Sequence, residues 1–166
     1  MESLPMRKNI RLKGYDYSSE GYYFVTFCVK EGHEILWIPT PVGARIARPL
    51  LSEVGEVINK AIENIPQVYA LVRIDKYVIM PNHIHMIMVI DNDCGRAMRA
   101  PTISTVINQL KGYVTKQIGC SIWQKLFHER VIRDEVEYQR IWQYIDQNSA
   151  QWAEDEYYST KGILIW

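Results

Sequence analysis

The stretch "MPNHIHMIMVI", residues 80–90, decides how this chain is read. It has the composition of a buried β-strand except for two histidines placed two residues apart. Successive strand side chains alternate faces, so His83, His85 and Ile87 point one way and Ile84, Met86 and Met88 the other. Both imidazoles therefore stand on one face. Two neutral imidazoles on a rigid element can chelate a divalent metal. The alternative is a histidine pair on a half-exposed strand, bonded to whatever covers it. Pro81-Asn82 marks a turn between this strand and the preceding "YALVRIDKYVIM" (69–80), which is itself strand-like.

Working outward, "GYYFVTFCV" (21–29) is aromatic and β-branched and predicts the first strand. Residues 31–47, with Gly32, Pro39, Pro41 and Gly43, predict a surface excursion. A helix follows, with Pro49 in its first turn, Leu51, Val54, Ile58, Ala61, Ile62 and Ile65 at helical spacing, and Pro66 as its stop. After the loop at 91–101, a second helix runs from about Thr102 to Ile118 and ends at Gly119. "ERVIRD" (129–134) is a short strand, and Asp134 caps a last helix towards Asn148. The order β-α-β-β-α-β-α predicts an α+β fold. It is the ferredoxin-like antiparallel sheet, with an added C-terminal helix across its open face. The histidine strand is then central.

Length and composition narrow the classes. A chain of 166 residues suits one domain over 1–166, with a core that needs no staples. The three cysteines, Cys28, Cys94 and Cys120, are far apart and lie outside any C-x-x-C pattern, which argues against a disulfide framework or zinc knuckle. With no signal-like start and no membrane-length apolar run, the expected setting is the cytoplasm. Formal net charge is zero, but the charge is segregated. Arg7, Lys8, Arg11 and Lys13 form a basic arm; Lys111, Lys116, Lys125, Arg130 and Arg133 form a second basic stretch; the C-terminal part is acidic. Basic patches bind phosphates whatever the total charge. Arg11, Lys13, Lys111, Lys116 and Arg133 are the candidate phosphate contacts, the alternative being a solvated face. A barrel-type metal hydrolase also carries H-x-H on a strand, but needs about 250 residues and eight β-α units.

The last helix offers the histidines a partner. Tyr138, Ile141, Trp142 and Ile145 mark its apolar face, and Tyr144 lies to one side of that stripe. Asn148 follows Tyr144 by one turn, so the two share a stripe. Packed across the sheet, Tyr144 and Asn148 can converge with His83 and His85. A phenol with a pKa near 10 is about 0.1% ionised at neutral pH, so it needs a polarised electrophile, which a metal would supply.

At this point four stretches carry a resemblance. "RKNIRLKGYDYSSEGYYFVT", "VIMPNHIHMIM", "WQKLFHERVIRD" and "YIDQNSAQW" occur in this order and cover nearly the whole chain. The chain resembles the single-tyrosine HUH transposases, most closely the REP-associated tyrosine transposase group. The resemblance implies that His83 and His85 hold Mg²⁺ or Mn²⁺, that Asn148 completes the metal site and that Tyr144 attacks DNA. It implies single-stranded DNA with a hairpin as the partner, no membrane, and a monomer or homodimer. Two departures are visible: Asn148-Ser149 where the family often has Asn-Pro, and Glu129-Arg130 where it often has an acidic residue and a histidine. Neither touches the expected nucleophile or ligands. Among the other histidines, His33 is expected at the surface and His128 near the site.

Overall fold

The computed structural model describes residues 14–39, 50–91, 100–149 and 152. Arg11, Lys13, Pro49 and Cys94 lie outside these residues. Four strands form one sheet: β1 (Gly21–Cys28), β2 (Val72–Ile79), β3 (His83–Ile90) and β4 (His128–Ile132). Their spatial order is β2-β3-β1-β4, and every neighbouring pair is antiparallel. Helices α1 (Glu53–Glu63) and α2 (Ile65–Val68) lie between β1 and β2, α3 (Ile103–Ile118) between β3 and β4, and α4 (Glu135–Asn148) after β4. This is the ferredoxin-like arrangement expected from the element order, with the added helix.

The two faces of the sheet bury different sets of side chains. On one, Tyr23, Val25 and Phe27 of β1 join Ile84, Met86 and Met88 of β3 beneath α1 and α3. On the other, Ile87, Val89 and Ile132 pack against Ile141 and Ile145 of α4. All eight residues of β3 are buried, because helices cover the sheet on both sides. That explains the continuous apolar run around the histidines, which stand on the α4 face.

Local chemistry sets the boundaries. Ser52 caps α1 by accepting from Gly55 N at 3.1 Å, so this helix begins beyond Pro49, later than expected. α1 ends at Glu63 with Asn64 as its cap, before the expected stop at Pro66, which instead sits in the first turn of α2 and so delays β2 to Val72. Thr102 caps α3, and Gly119 closes it at φ 79°. Asp134 caps α4 through Glu137 N at 2.8 Å.

A bulge in β2 fixes α4 over the sheet. The register shifts between Ile74 and Lys76, so consecutive residues Asp75 and Lys76 both reach the helix. Tyr138 Oη donates to Asp75 Oδ2 at 2.6 Å, and Lys76 Nζ pairs with Asp146 Oδ1 at 2.5 Å. Lys76 also lies 3.9 Å over the Trp142 ring.

Candidate active site

The corner before β3 is held from three directions. Met80 N donates to His83 O at 2.8 Å, Val29 N to Asn82 O at 2.8 Å and Leu36 N to Pro81 O at 2.9 Å. The histidines are thus launched from a backbone tied to β1 and to the segment after it. His83 Nε2 and His85 Nε2 lie 3.0 Å apart. Each Nδ1 meets another buried side chain: Asn82 Oδ1 at 2.8 Å from His83, and Thr26 Oγ1 at 2.7 Å from His85. Phe24 stacks on His85 with centroids 5.4 Å apart.

Tyr144 arrives from α4. Its hydroxyl is 3.1 Å from His85 Nε2, and its ring meets Phe24 edge-on. Eight residues later the Trp152 ring lies 5.9 Å from the His83 ring and 6.3 Å from that of Trp37. Asn148 falls between Tyr144 and Trp152 at steps of four. It is 4% exposed, and its Oδ1 has no hydrogen-bond partner among the described residues. A buried amide oxygen left unsatisfied costs about 1–3 kcal/mol. Such groups call for an explanation.

Burial holds both imidazoles neutral. It pushes His83 well below the usual histidine range, with His85 beside it adding to the effect. Burial likewise brings His85 down to about 3, with His128 adding to it. His128 faces the same side, since Thr26 pairs with both His85 and His128 across the sheet. Burial lowers His128 too, with Arg130 contributing. Neutral imidazole is the metal-binding form.

The donor set fits a divalent cation. Two nitrogens each about 2.1 Å from one ion at a right angle would lie about 3.0 Å apart, the separation seen here. Among the described residues, no three His, Cys, Asp or Glu side chains gather to hold an ion. A third protein ligand from the described residues would be of another type, and the buried, unsatisfied Asn148 Oδ1 is the candidate. Two imidazoles and an amide suit Mn²⁺ better than Mg²⁺, which prefers an oxygen cage.

The expected DNA contacts separate. Lys111 is a correction: it is 7% exposed, and its Nζ donates to Gln124 O at 3.1 Å and Leu126 O at 3.5 Å. It ties a loop to α3 and is not a surface phosphate contact. Lys116 is exposed, but on α3, across the sheet from the histidines. Arg133 is exposed on the site's side, just before α4, at the opposite end of that helix from Asn148. The three do not make one patch. Arg130 is engaged by Glu137 at 2.5 Å. His33 lies at the surface near Glu31, as expected.

Sequence reading missed Thr26, Asn82, Phe24 and Trp152. Asn82 adjoins the motif and was legible only as a turn residue. Thr26 and Phe24 become neighbours of His85 only once the β1–β3 register is known.

No protein-family model matches the chain. An uncharacterized protein of Haemophilus influenzae (strain Rd) is 36% identical over 173 aligned positions, covering 92% of this chain and 93% of that one. Among solved structures, a REP-associated tyrosine transposase bound to a REP hairpin aligns with a TM-score of 0.60 and 20% identity. That alignment covers 88% of this chain and 77% of the other. A candidate transposase of Deinococcus radiodurans R1 aligns at 15% identity and a TM-score of 0.49, over 82% of this chain and 95% of that one. Among the described residues, no helix is long and apolar enough to cross a membrane.

Proposed function

For a chain that belongs to one family with the Haemophilus influenzae protein and has the fold of the REP-associated tyrosine transposase, we propose a metal-dependent DNA strand transferase acting on single strands beside hairpins. The observation that carries the reading is the Tyr144 hydroxyl lying 3.1 Å from one nitrogen of a buried Nε2 pair. The phenol is a nucleophile for phosphorus, and two neutral imidazoles with an unsatisfied amide oxygen are donors for an ion that would polarise the phosphate. The hairpin is proposed from the solved relative, whose structure holds one.

His83, His85 and Asn148 would hold Mn²⁺ or Mg²⁺. When bound, the ion supplies Lewis acidity toward a phosphate oxygen. The chain's own residues do the rest. Tyr144 Oη attacks phosphorus, a P–O bond to the 3′ oxygen breaks, and the proton lost by the phenol is balanced by the one the leaving 3′-hydroxyl gains. The product is a 5′-phosphotyrosine and a free 3′-hydroxyl. Because one phosphodiester replaces another, a second 3′-hydroxyl can reverse or redirect the step without ATP. Phe24 and the anchored α4 keep the Tyr144 ring over His85. An exposed edge of that ring leaves a route for a strand.

The test is covalent trapping. Full-length protein with Mn²⁺ and a labelled hairpin oligonucleotide carrying a single-stranded flank is expected to give a denaturant-resistant adduct. Binding without any adduct across hairpins taken from around the encoding gene would instead make the protein a hairpin-binding module.

A further inference from the structure

Each histidine of the pair has its second ring nitrogen engaged by a buried polar side chain from outside the H-x-H motif. Asn82 is 4% exposed, and its Nδ2 donates to Gly32 O at 3.2 Å. A carbonyl only accepts, so this bond fixes which way the amide points. Asn82 Oδ1 therefore faces His83 Nδ1, and that nitrogen must carry the ring proton. Neutral His83 then presents a lone pair at Nε2.

His85 Nε2 lies 3.0 Å from that lone pair. Two lone pairs do not face each other at this distance without positive charge between them. With no cation present, His85 must carry its proton on Nε2 and donate to His83. Its Nδ1 then accepts from the Thr26 hydroxyl at 2.7 Å. With a cation held by both Nε2 atoms, His85 must carry its proton on Nδ1, and Thr26 Oγ1 must accept. A hydroxyl can switch between donor and acceptor by rotating its hydrogen, leaving its oxygen in place. No group of valine's shape could serve either state.

We propose that Asn82 and Thr26 are positioning residues for the histidine pair. Asn82 holds His83 as the Nδ1–H tautomer throughout, and Thr26 lets His85 exchange Nε2–H for Nδ1–H as a divalent cation is taken up. One proton leaves Nε2 and one is gained at Nδ1, so the charge of the pair does not change. The inference rests on the metal reading of the site. It goes beyond it in assigning two residues outside the ligand set and a proton position to each ring.

Long-range ¹H–¹⁵N spectra of the histidine-labelled full chain test it directly. In metal-free protein, His83 should report Nδ1–H and His85 Nε2–H. Adding Zn²⁺, a diamagnetic probe, should move His85 alone to Nδ1–H. Mn²⁺ affinity, read by electron paramagnetic resonance, should fall about 10–100-fold in Asn82→Ala and Thr26→Val. It should recover in Asn82→Asp and Thr26→Ser. The wild-type spectra decide the matter even if a variant fails to fold. His83 found as Nε2–H, or His85 unmoved by bound Zn²⁺, overturns the inference, as does unchanged Mn²⁺ affinity in both truncations. Wild-type protein that binds neither ion defeats the metal reading, a separate failure, because the metal-free spectrum still reports whether Asn82 sets His83.

Discussion

The Tyr144 hydroxyl and the candidate cation share one atom's neighbourhood, since Tyr144 Oη lies 3.1 Å from His85 Nε2. Without an ion, the proton on that nitrogen is one the phenol oxygen can accept; with an ion, its lone pair is taken, so the phenol contact and the ion exclude each other. Tyr144→Phe removes the oxygen and keeps the ring against Phe24 and His85. The expected result is complete loss of the DNA adduct, with Mn²⁺ affinity unchanged or higher and hairpin binding retained. An adduct gel and a Mn²⁺ titration on the same preparation check it. Adduct formation by Tyr144→Phe would move the nucleophile elsewhere, with Tyr138 next, although its hydroxyl is committed to Asp75.

Lys111 predicts a pH signature. Burial lowers its pKa from 10.5 to about 8. Between these values the unfolded chain binds more protons than the folded one, so stability rises with pH. The cost of burying the ammonium is full below about pH 8 and disappears towards pH 10.5. Tyr77 and Tyr138, raised to about 12, act the other way, and their stabilisation is lost from pH 10 upwards. Urea midpoints should therefore rise from pH 8 to pH 10, and Lys111→Met should flatten that rise. The same variant should leave the salt dependence of DNA binding unchanged, because the lysine is spent on the Gln124 and Leu126 carbonyls.

The fold was legible because its signals are local. Alternation in β3, the Thr102 and Asp134 caps and the Gly119 stop each follow from a few neighbouring residues. The face shared by His83 and His85 followed from alternation alone. What could not be read depends on register and on tertiary burial. Lys111 looks basic and solvated in sequence, yet its ammonium is buried, 5.7 Å from the Phe27 ring and 5.5 Å from that of Phe127, where it satisfies a loop. Thr26 meets His85 across 59 positions of sequence. The β2 bulge that lets Asp75 and Lys76 both reach α4 leaves no composition signal.

Gly55 is required by contact rather than by backbone angle. A Cβ there would lie 2.3 Å from Leu36 O, a backbone atom that cannot swing aside. In an open helix, alanine would gain roughly 1 kcal/mol over glycine. Here overpacking costing about 1–3 kcal/mol should win, so Gly55→Ala is expected to destabilise. Equilibrium urea unfolding measures it. Leu36 precedes Trp37, whose indole donates to Ile79 O and packs near Trp152. Displacement of this segment should therefore also appear in tryptophan fluorescence. A gain in stability would mean that α1 moves off Leu36 freely.

Asn148 separates stability from function most sharply. Its Oδ1 is buried and has no hydrogen-bond partner among the described residues, a burden on the metal-free protein. Asn148→Leu replaces the amide by an apolar group of similar size, beside Ile145 in the α4 layer. Relief of one unsatisfied acceptor should raise metal-free stability by about 1 kcal/mol. The same change removes the proposed third ligand, so Mn²⁺ affinity and adduct yield should fall together. Asn148→Asp offers the opposite test: an anionic oxygen in a buried site should lower metal-free stability and tighten Mn²⁺. Calorimetry with and without Mn²⁺ reads both quantities at once. A structural amide would behave differently: Asn148→Leu would lose stability in both conditions and leave the Mn²⁺-induced rise in Tm unchanged. The opposed signs in Asn148→Leu, firmer without the ion and weaker with it, mark an amide kept for binding rather than for packing.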